Sequence, residues 1–156
     1  MPMSAVQNVQ DALDEAGVEG RARTLPQSTR TAAEAAEALG CPVGAIANSL
    51  VFMADDAPLL VLTSGAHRVD VEALAARLGR GRIRRAKPDE VRAATGQVIG
   101  GVSPVGHPAP LETVVDEALR QYDQVWAAAG TPNAVFPTTF DELVRITKGA
   151  PQRVDG

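Results

Sequence analysis

Seven consecutive residues carry the clearest chemical signal in the sequence, namely Gly100-Gly101-Val102-Ser103-Pro104-Val105-Gly106. Glycine allows a backbone to pass close to a ligand or to adopt positive φ, and proline fixes the direction of a bend. A loop of this kind can turn its amide groups toward a small polar or anionic ligand. The loop follows a β-prone run, Gln97–Ile99, so a structural turn between two strands is the alternative interpretation.

A run of basic residues is the second candidate site, and it contains Arg77, Arg80, Arg82, Arg84, Arg85 and Lys87. Alternation along a predicted strand over Arg82–Ala86 places Arg82 and Arg84 on one face. Clustered arginines suit contacts with phosphates, which predicts nucleic-acid binding by Arg82, Arg84 and Arg85. The alternative is an edge strand whose charges only keep it in solvent.

Composition excludes several classes of site. The net charge of −4 argues against bulk electrostatic capture of nucleic acid, and 3% aromatic residues are too few for a base-stacking platform. The two histidines, His67 and His107, lack the spacing of metal ligands. The single cysteine, Cys41, can form neither an internal disulfide nor a cysteine zinc cluster. We therefore expect no metal site.

The elements around these candidates are predicted from periodicity, capping residues and glycine stops. The predicted helices begin at the Ser4 and Thr31 caps, at Asp70, at Lys87-Pro88-Asp89 and at Phe140, and they end at Gly17, Gly40, Leu78, Gly96 and Lys148. The predicted strands are Val18–Leu25, Ala45–Met53, Pro58–Thr63, Arg82–Ala86, Thr113–Leu119, Gln124–Ala129 and Ala134–Thr138. Asp55-Asp56 is predicted to form a hairpin turn between two of them.

This arrangement predicts an α+β fold, with a mixed, largely antiparallel sheet and surrounding helices. We expect a single domain over residues 1–156, in which residues 1–30 form an N-terminal helix and strand. No apolar run approaches the length of about 20 residues that a membrane span requires. The N-terminus lacks the basic-then-apolar layout of a signal peptide, so we expect a cytoplasmic protein without membrane partners.

Four segments together resemble one known family. They are CPVGAIANSLVF at Cys41–Phe52, PLLVLTSGAHRVD at Pro58–Asp70, GGVSPVGHP at Gly100–Pro108 and VWAAAGTPNAVFPTTFDELVRITKGA at Val125–Ala150. In this order and spacing they resemble the YbaK/ProX family, free-standing relatives of the prolyl-tRNA synthetase editing domain. The resemblance covers about residues 31–154, and its most specific parts are the Gly100–Pro104 loop and the AGTPN segment at Ala129–Asn133.

The resemblance implies a trans-editing aminoacyl-tRNA deacylase, which hydrolyses the ester of a tRNA charged with the wrong amino acid. A tRNA-Pro-type substrate carrying a small amino acid is implied, with no metal or cofactor, and a synthetase is a second candidate partner. The glycine-x-x-x-proline loop of the family shapes the pocket for the aminoacyl group and the terminal adenosine. Gly100, Gly101 and Pro104 take that role by position, with Val102 and Ser103 between them.

Asn48 is a departure from the family, which usually carries a lysine at this position. An asparagine side chain offers one acceptor and two donors but no charge. The substitution is consistent with altered specificity, with binding that has lost catalysis, or with replacement by another cation such as Lys148 or Arg68. A hydrogen-bonded asparagine within the sheet is the structural alternative. A non-catalytic module that binds aminoacyl-adenosine, an amino acid or tRNA therefore stays open as an alternative function.

Ester hydrolysis requires a positioned water and donors for the developing oxyanion. Ser103 precedes Pro104, whose nitrogen cannot donate, and this argues against Ser103 as a nucleophile with its own oxyanion hole. We expect backbone amides of Gly100–Ser103 and the Asn48 side chain to orient substrate and water. His67, at the end of a strand, is a candidate general base or adenosine contact, or else a surface histidine. His107 is expected to be exposed.

Overall fold

Local capping signals define the helices in the computed structural model, which describes residues 4–156. The described α-helices are α1 (Ala5–Glu15), α2 (Ala32–Leu39), α3 (Val71–Leu78), α4 (Pro88–Thr95) and α5 (Phe140–Thr147). Side chains of Ser4, Thr31, Asp70 and Thr139 accept hydrogen bonds from the first turns of α1, α2, α3 and α5. Left-handed glycines at 40, 79 and 96 end α2, α3 and α4. The five predicted helices are confirmed.

Eight strands in the described residues form one mixed sheet. They are β1 (Arg23–Thr24), β2 (Ile46–Ala54), β3 (Ala57–Ser64), β4 (Ile83–Arg85), β5 (Glu112–Asp116), β6 (Val125–Ala128), β7 (Ala134–Thr138) and β8 (Ala150–Gln152). Their order is β1-β7-β6-β2-β3-β5-β8, and β4 pairs with β2. Four pairings are antiparallel, whereas β2–β6, β3–β5 and β5–β8 are parallel. The predicted fold class is confirmed.

Two strand predictions need correction. Only Arg23–Thr24 of the predicted strand Val18–Leu25 pairs with β7. Val18, where the strand was expected to begin, donates its amide to the Leu13 carbonyl of α1. The strand predicted over Thr113–Leu119 ends at Asp116, whose carboxylate accepts from the Ala118 amide and begins a 3-10 helix. The β-prone run Gln97–Ile99, which lies outside the predicted strands, is irregular, and the Val98 carbonyl accepts from the Gly101 amide.

The edge strand β8 was not predicted, because its central residue is Pro151. Proline cannot donate to a sheet ladder and is therefore tolerated at an edge, where one side of the strand needs no partner. β8 pairs only with β5 within the described residues. A short run with proline at its centre carries little strand signal in sequence.

The edge of β2 that faces away from β3, which we call its outer edge, is only partly paired with other strands. One edge of β2 pairs with β3 from Ala47 to Ala54. On the other edge, β6 pairs with Ile46–Ala47 and β4 pairs with Phe52–Ala54. No described strand pairs with this edge between those two contacts, and we call this interval the sheet opening. It leaves this edge open at residues 48–50, which are partly buried, whereas Val51 is buried.

Apolar residues cover both faces of the sheet around the opening. Ala47 and Val51 of β2 belong to a core that also contains Val102. Phe52 belongs to a second core on the opposite face, where Leu50 packs against it together with α3 residues. Among the described residues, none of the helices combines the length and apolar character that crossing a membrane demands.

The β2–β3 turn provides a test of the fold. Asp55 and Asp56 both have positive φ, 49° and 68°, which favours glycine. We expect Asp56→Gly to raise the free energy of unfolding by about 0.5 kcal/mol, because it relieves left-handed strain at an exposed position. Urea denaturation would measure this change.

Asp55→Gly is the matched control for that substitution. It also relieves positive φ, but it removes a carboxylate that accepts hydrogen bonds from the Gly81 and Arg82 amides at 3.1 and 2.9 Å. We therefore expect Asp55→Gly to destabilise the protein. Equal effects of the two substitutions would contradict this account of the turn.

Candidate functional site

A cavity of about 700 Å³ lies at the sheet opening, and we call it the central cavity. Its walls come from β2, β6, the segment before α2, the segment after β3, the end of β4 and the glycine loop. Five of the predicted site residues line it, namely Asn48, His67, Arg85, Gly100 and Val102. The other five, Gly101, Ser103, Pro104, Arg82 and Arg84, do not line it.

The two faces of β2 present different polar residues to the central cavity. Side chains alternate along a strand, so Ser49 points to the same face as Ala47 and Val51. That face packs against Val102 of the glycine loop. Asn48 points to the opposite face, in register with Thr63 of β3. Ser49, rather than Asn48, is therefore the residue of β2 on the loop side.

The strand register places the backbone groups of Ser49 at the opening, where no described strand pairs with them. The Val51 carbonyl accepts from the Ala86 amide, so it points away from β3 toward the outer edge. Because the peptide groups of a strand alternate in direction, those of Ser49 point to the same edge. Neither β6 nor β4 reaches Ser49. Its hydroxyl is buried and has no hydrogen-bond partner among the described residues. A buried unpaired donor and acceptor indicates a place for a bound group.

His67 is held by a buried carboxylate. Its Nδ1 lies 2.9 Å from Oδ2 of Asp116, whose side chain is 1% exposed. The same oxygen accepts from the Ser64 amide at 2.9 Å, and Oδ1 accepts from the Ala118 amide at 2.9 Å. On the other side of the ring, Nε2 lies 3.8 Å from Oδ2 of Asp155, so the imidazole stands between two carboxylates. His67 lines the cavity with a fixed ring orientation.

The glycine loop is held between two other segments. A Cβ at Gly100 would lie 2.6 Å from Cγ of Arg30, and φ at Gly100 is 89°. A Cβ at Gly101 would lie 2.5 Å from the carbonyl carbon of Thr131, in the AGTPN segment. Any side chain at Gly101 would therefore displace the loop as a whole. The glycines explain why the loop and this segment can approach each other closely.

Hydrogen bonds within the loop leave two of its amides available. The Gly101 amide donates to the Val98 carbonyl at 3.0 Å, and the Ser103 amide donates to Oε1 of Gln97 at 2.7 Å. The amides of Gly100 and Val102 have no acceptor in the described part of the chain. These two are also the loop residues that line the cavity.

Ser103 and Pro104 lie inside the protein. Ser103 is 0% exposed, and its hydroxyl accepts from the Val105 amide at 3.3 Å. Its carbonyl oxygen lies 2.7 Å from Nε2 of His107. The expectation that His107 is exposed is wrong, since the ring is largely buried against this carbonyl. These contacts stabilise the loop from behind.

Within the predicted basic run, Arg84 forms an ion pair with a carboxylate, whereas Arg85 does not in the described residues. Arg84 donates two hydrogen bonds of 2.8 Å to the carboxylate of Glu90 and holds the pKa of Glu90 at about 2. Arg85 stacks on Phe52, with its guanidinium carbon 5.6 Å from the ring centre, and reaches the cavity. Of the two alternative cations, Arg68 lines the cavity and Lys148 does not. Binding of tRNA by Arg82, Arg84 and Arg85 stays a prediction.

Three residues of this site were not identified from sequence, namely Arg30, Ser49 and Asp116. Ser49 could have been found, because its alternation with Ala47 and Val51 places it on an apolar face. Arg30 and Asp116 carry no comparable signal, since each reaches the site through contacts between distant segments. In residues 4–156, no three His, Cys, Asp or Glu side chains converge to hold a metal ion.

Comparison with known proteins gives consistent matches. Residues 26–146 match the aminoacyl-tRNA editing domain family. The chain is 32% identical over 117 residues to the "Uncharacterized protein YwhH" of Bacillus subtilis, covering 74% of each. It is 27% identical over 126 residues to the "Putative Cys-tRNA(Pro)/Cys-tRNA(Cys) deacylase EbsC" of Enterococcus faecalis, covering 75% of this chain and 77% of that protein.

A solved structure is similar over the whole fold. It is named "Crystal structure of a putative trans-editing enzyme for prolyl tRNA synthetase". The two chains are 43% identical and superimpose with a TM-score of 0.92, over 100% of this chain and 99% of the other.

The buried His107 generates a prediction about pH. Burial lowers the pKa of His107, and the bond to the Ser103 carbonyl only partly opposes this effect. The unfolded chain therefore takes up a proton more readily than the folded one. The neutral His107 ring therefore contributes to the free energy of unfolding. This contribution is complete above a pH of about 6.5, and it is lost as the pH falls toward the lowered pKa of His107 in the folded state.

We expect the free energy of unfolding of the unmodified protein to fall between pH 7.5 and pH 5.5, roughly the range in which histidines titrate. The decrease should be smaller in His107→Gln, because glutamine does not titrate. Urea denaturation at both pH values would measure it. Identical pH dependence would contradict the role of His107.

Proposed function

This chain belongs to the aminoacyl-tRNA editing domain family, also called the YbaK family, and on that premise we propose that it is a trans-editing deacylase. It hydrolyses the ester bond of a mischarged aminoacyl-tRNA, with a tRNA-Pro-type substrate that carries a small wrong amino acid. The observation that carries this proposal is the central cavity at the sheet opening, bordered by the glycine loop and by unpaired groups of Ser49. The partner is an aminoacyl-tRNA, and the expected location is the cytoplasm.

The chemistry needs few groups because an aminoacyl ester is already activated. The substrate ester lies at the opening, where the Ser49 amide and the free amides of Gly100 and Val102 can donate to the developing oxyanion. Nε2 of His67, which lies 3.8 Å from Oδ2 of Asp155, accepts a proton from the attacking water, and Asp116 keeps the ring in place. Asn48 holds the ribose or the amino group, and the ribose hydroxyl of the substrate assists.

The loop-side face of β2 suits a small amino acid. Ala47, Val51, Val91, Val102 and Ala127 line this part of the cavity, and all are apolar. Ser49 also lines the cavity, and its buried hydroxyl has no hydrogen-bond partner among the described residues. A buried polar group without a hydrogen-bond partner lowers the stability of the protein. A ligand that forms this hydrogen bond recovers the lost free energy, and its binding is strengthened accordingly. We therefore infer a preference for a small side chain with a hydroxyl or thiol over one of similar size without it.

A binding module without catalysis is the second candidate function, because Asn48 occupies the position of the family lysine. Such a module would retain the cavity and its contacts with the aminoacyl-adenosine end. It would hold the mischarged tRNA without releasing the amino acid. A synthetase is a candidate partner in either case, since 85 residues of the chain are 34% identical to part of a proline–tRNA ligase of Lactobacillus gasseri.

Release of amino acid from seryl-, cysteinyl- and alanyl-tRNA of the proline type would test both candidates. We expect the unmodified protein to release amino acid, and Ser49→Ala to slow release of serine or cysteine by about three- to tenfold. Alanyl-tRNA is the internal control, because its methyl group makes no hydrogen bond with Ser49. A uniform loss with all three substrates would contradict the role of Ser49.

Variants at Asn48 separate the deacylase from the binding module. If Asn48 supports turnover, Asn48→Ala should slow release while the urea midpoint stays within the range of the unmodified protein. If catalysis has been lost, only Asn48→Lys should release amino acid. Tight binding of mischarged tRNA without release by the unmodified protein would overturn the deacylase and favour the binding module.

A further inference from the structure

The two carboxylates beside the His67 ring come from distant parts of the chain. Oδ2 of Asp116, at the end of β5, lies 2.9 Å from Nδ1. Oδ2 of Asp155, which follows β8, lies 3.8 Å from Nε2. Asp116 is buried and orients the ring, whereas Asp155 is partly exposed. The second carboxylate therefore faces the nitrogen to which the proposed reaction assigns the proton of the attacking water.

The segment that carries Asp155 is fixed to the rest of the protein. It comprises residues 153–156 and lies beyond the range 26–146 that matches the family. The Val154 side chain is buried in the second core, which includes residues of α3, and its carbonyl accepts from the N-cap amide of α3 at 2.8 Å. Arg77 of α3 donates to two carbonyls of the segment at 2.8 and 2.7 Å. These contacts hold the segment in one place on α3.

The two oxygens of the Asp155 carboxylate have different neighbours. Oδ1 accepts from Nε of Arg153 at 3.0 Å, and this hydrogen bond holds the pKa of Asp155 below its ordinary value. The carboxylate is therefore ionised near neutral pH. Oδ2 faces Nε2 of His67 at a distance too long for a hydrogen bond but short enough for an interaction between charges. Asp155 therefore places a negative charge beside Nε2 and leaves the hydrogen bond of this nitrogen to a water.

We propose that Asp155 is a positioning residue for His67, which it supports by stabilising the positively charged ring that forms during ester hydrolysis. Asp155 does not line the central cavity, so it acts through His67 rather than on the substrate. Opposite charges at this distance attract each other, and Asp116 and Asp155 do so from the two sides of the ring. This inference rests on the proposed function for the identity of the reaction.

The positive ring exists between two proton transfers. In the first, an O–H bond of the water breaks, its proton moves to Nε2 of His67, and its oxygen bonds to the carbonyl carbon of the ester. In the second, the bond between that carbon and the ribose oxygen breaks, and the proton passes from Nε2 to the ribose oxygen. The products are the free amino acid and the tRNA. The charge of Asp155 favours the state between these two transfers.

Nitrogen NMR of the imidazole rings would test the contact directly. His67 and His107 are the only histidines in the chain, so the spectrum contains two rings. We expect Asp155→Asn to shift the Nε2 resonance of His67, because asparagine keeps the shape of the side chain but removes its charge. His107 is the internal reference, since its Nε2 lies against the Ser103 carbonyl. An unchanged His67 resonance would overturn the inference.

Release of amino acid from mischarged tRNA would test the consequence for turnover. The Asp155 and His67 side chains are 36% and 29% exposed, so Asp155→Asn should lower kcat only about two- to fivefold, as for a partly exposed ion pair. KM should not change, because Asp155 lies outside the cavity. Asp155→Glu keeps the charge and should retain most of the unmodified rate. In a His67→Gln background, Asp155→Asn should have no further effect.

Asp123→Asn is the matched control. It also removes one negative charge, but Asp123 is exposed and, within residues 4–156, forms no hydrogen bond or ion pair with the His67 ring. This variant should change neither the His67 resonances nor the rate. Urea midpoints would show that the variants are folded. Losses of rate that are equal in Asp155→Asn and Asp123→Asn, or equal with and without His67, would overturn the inference.

The outcomes also distinguish this inference from the proposed function. If the unmodified protein releases no amino acid but its His67 resonance depends on Asp155, the deacylase is rejected and Asp155 is retained as a residue that positions His67. If release is unchanged in Asp155→Asn, the deacylase is retained and the positioning role of Asp155 is rejected.

Discussion

The missing hydrogen-bond partner along the outer edge of β2 is the constraint on which the site depends. β6 covers the beginning of this edge and β4 covers its end, so the peptide groups of Ser49 face the opening between them. Buried backbone donors and acceptors need partners, and an incomplete ladder is stable only if water or a ligand supplies them. The opening therefore leaves polar backbone groups of β2 available to water or to a ligand.

Neighbouring segments keep the opening accessible. Gln97, Ser103 and His107 form a buried hydrogen-bonded group behind the glycine loop, and Gly101 lies against the AGTPN segment. On the other face, Asp116 connects the end of β5 to the end of β3 and to His67. A site assembled from loops gains precision when buried contacts fix them in this way. Few of the loop's atoms are therefore available to substrate.

Only part of the basic charge of the chain reaches the central cavity. Asn48 contributes hydrogen-bonding groups but no charge. Arg84 is neutralised by Glu90, although it belongs to the most basic run in the sequence. Arg30, Arg68 and Arg85 retain their charge at the cavity, and they come from three separate segments. Proximity in sequence thus identified basic residues but did not show which of them are free.

Sequence alone determined the helices, the β2–β3 hairpin and the family, because caps, glycine stops and motifs act over a few neighbouring residues. It also identified the glycine loop, Asn48 and His67, which the structure brings to one cavity. It did not identify Arg30 or Asp116, which join the site through contacts between distant segments. Only the tertiary structure decided that Ser49 faces the loop and that β2 has an open edge. The physical reason is that pairing of β2 with β6 and β4 is set by long-range packing, which local patterns do not encode.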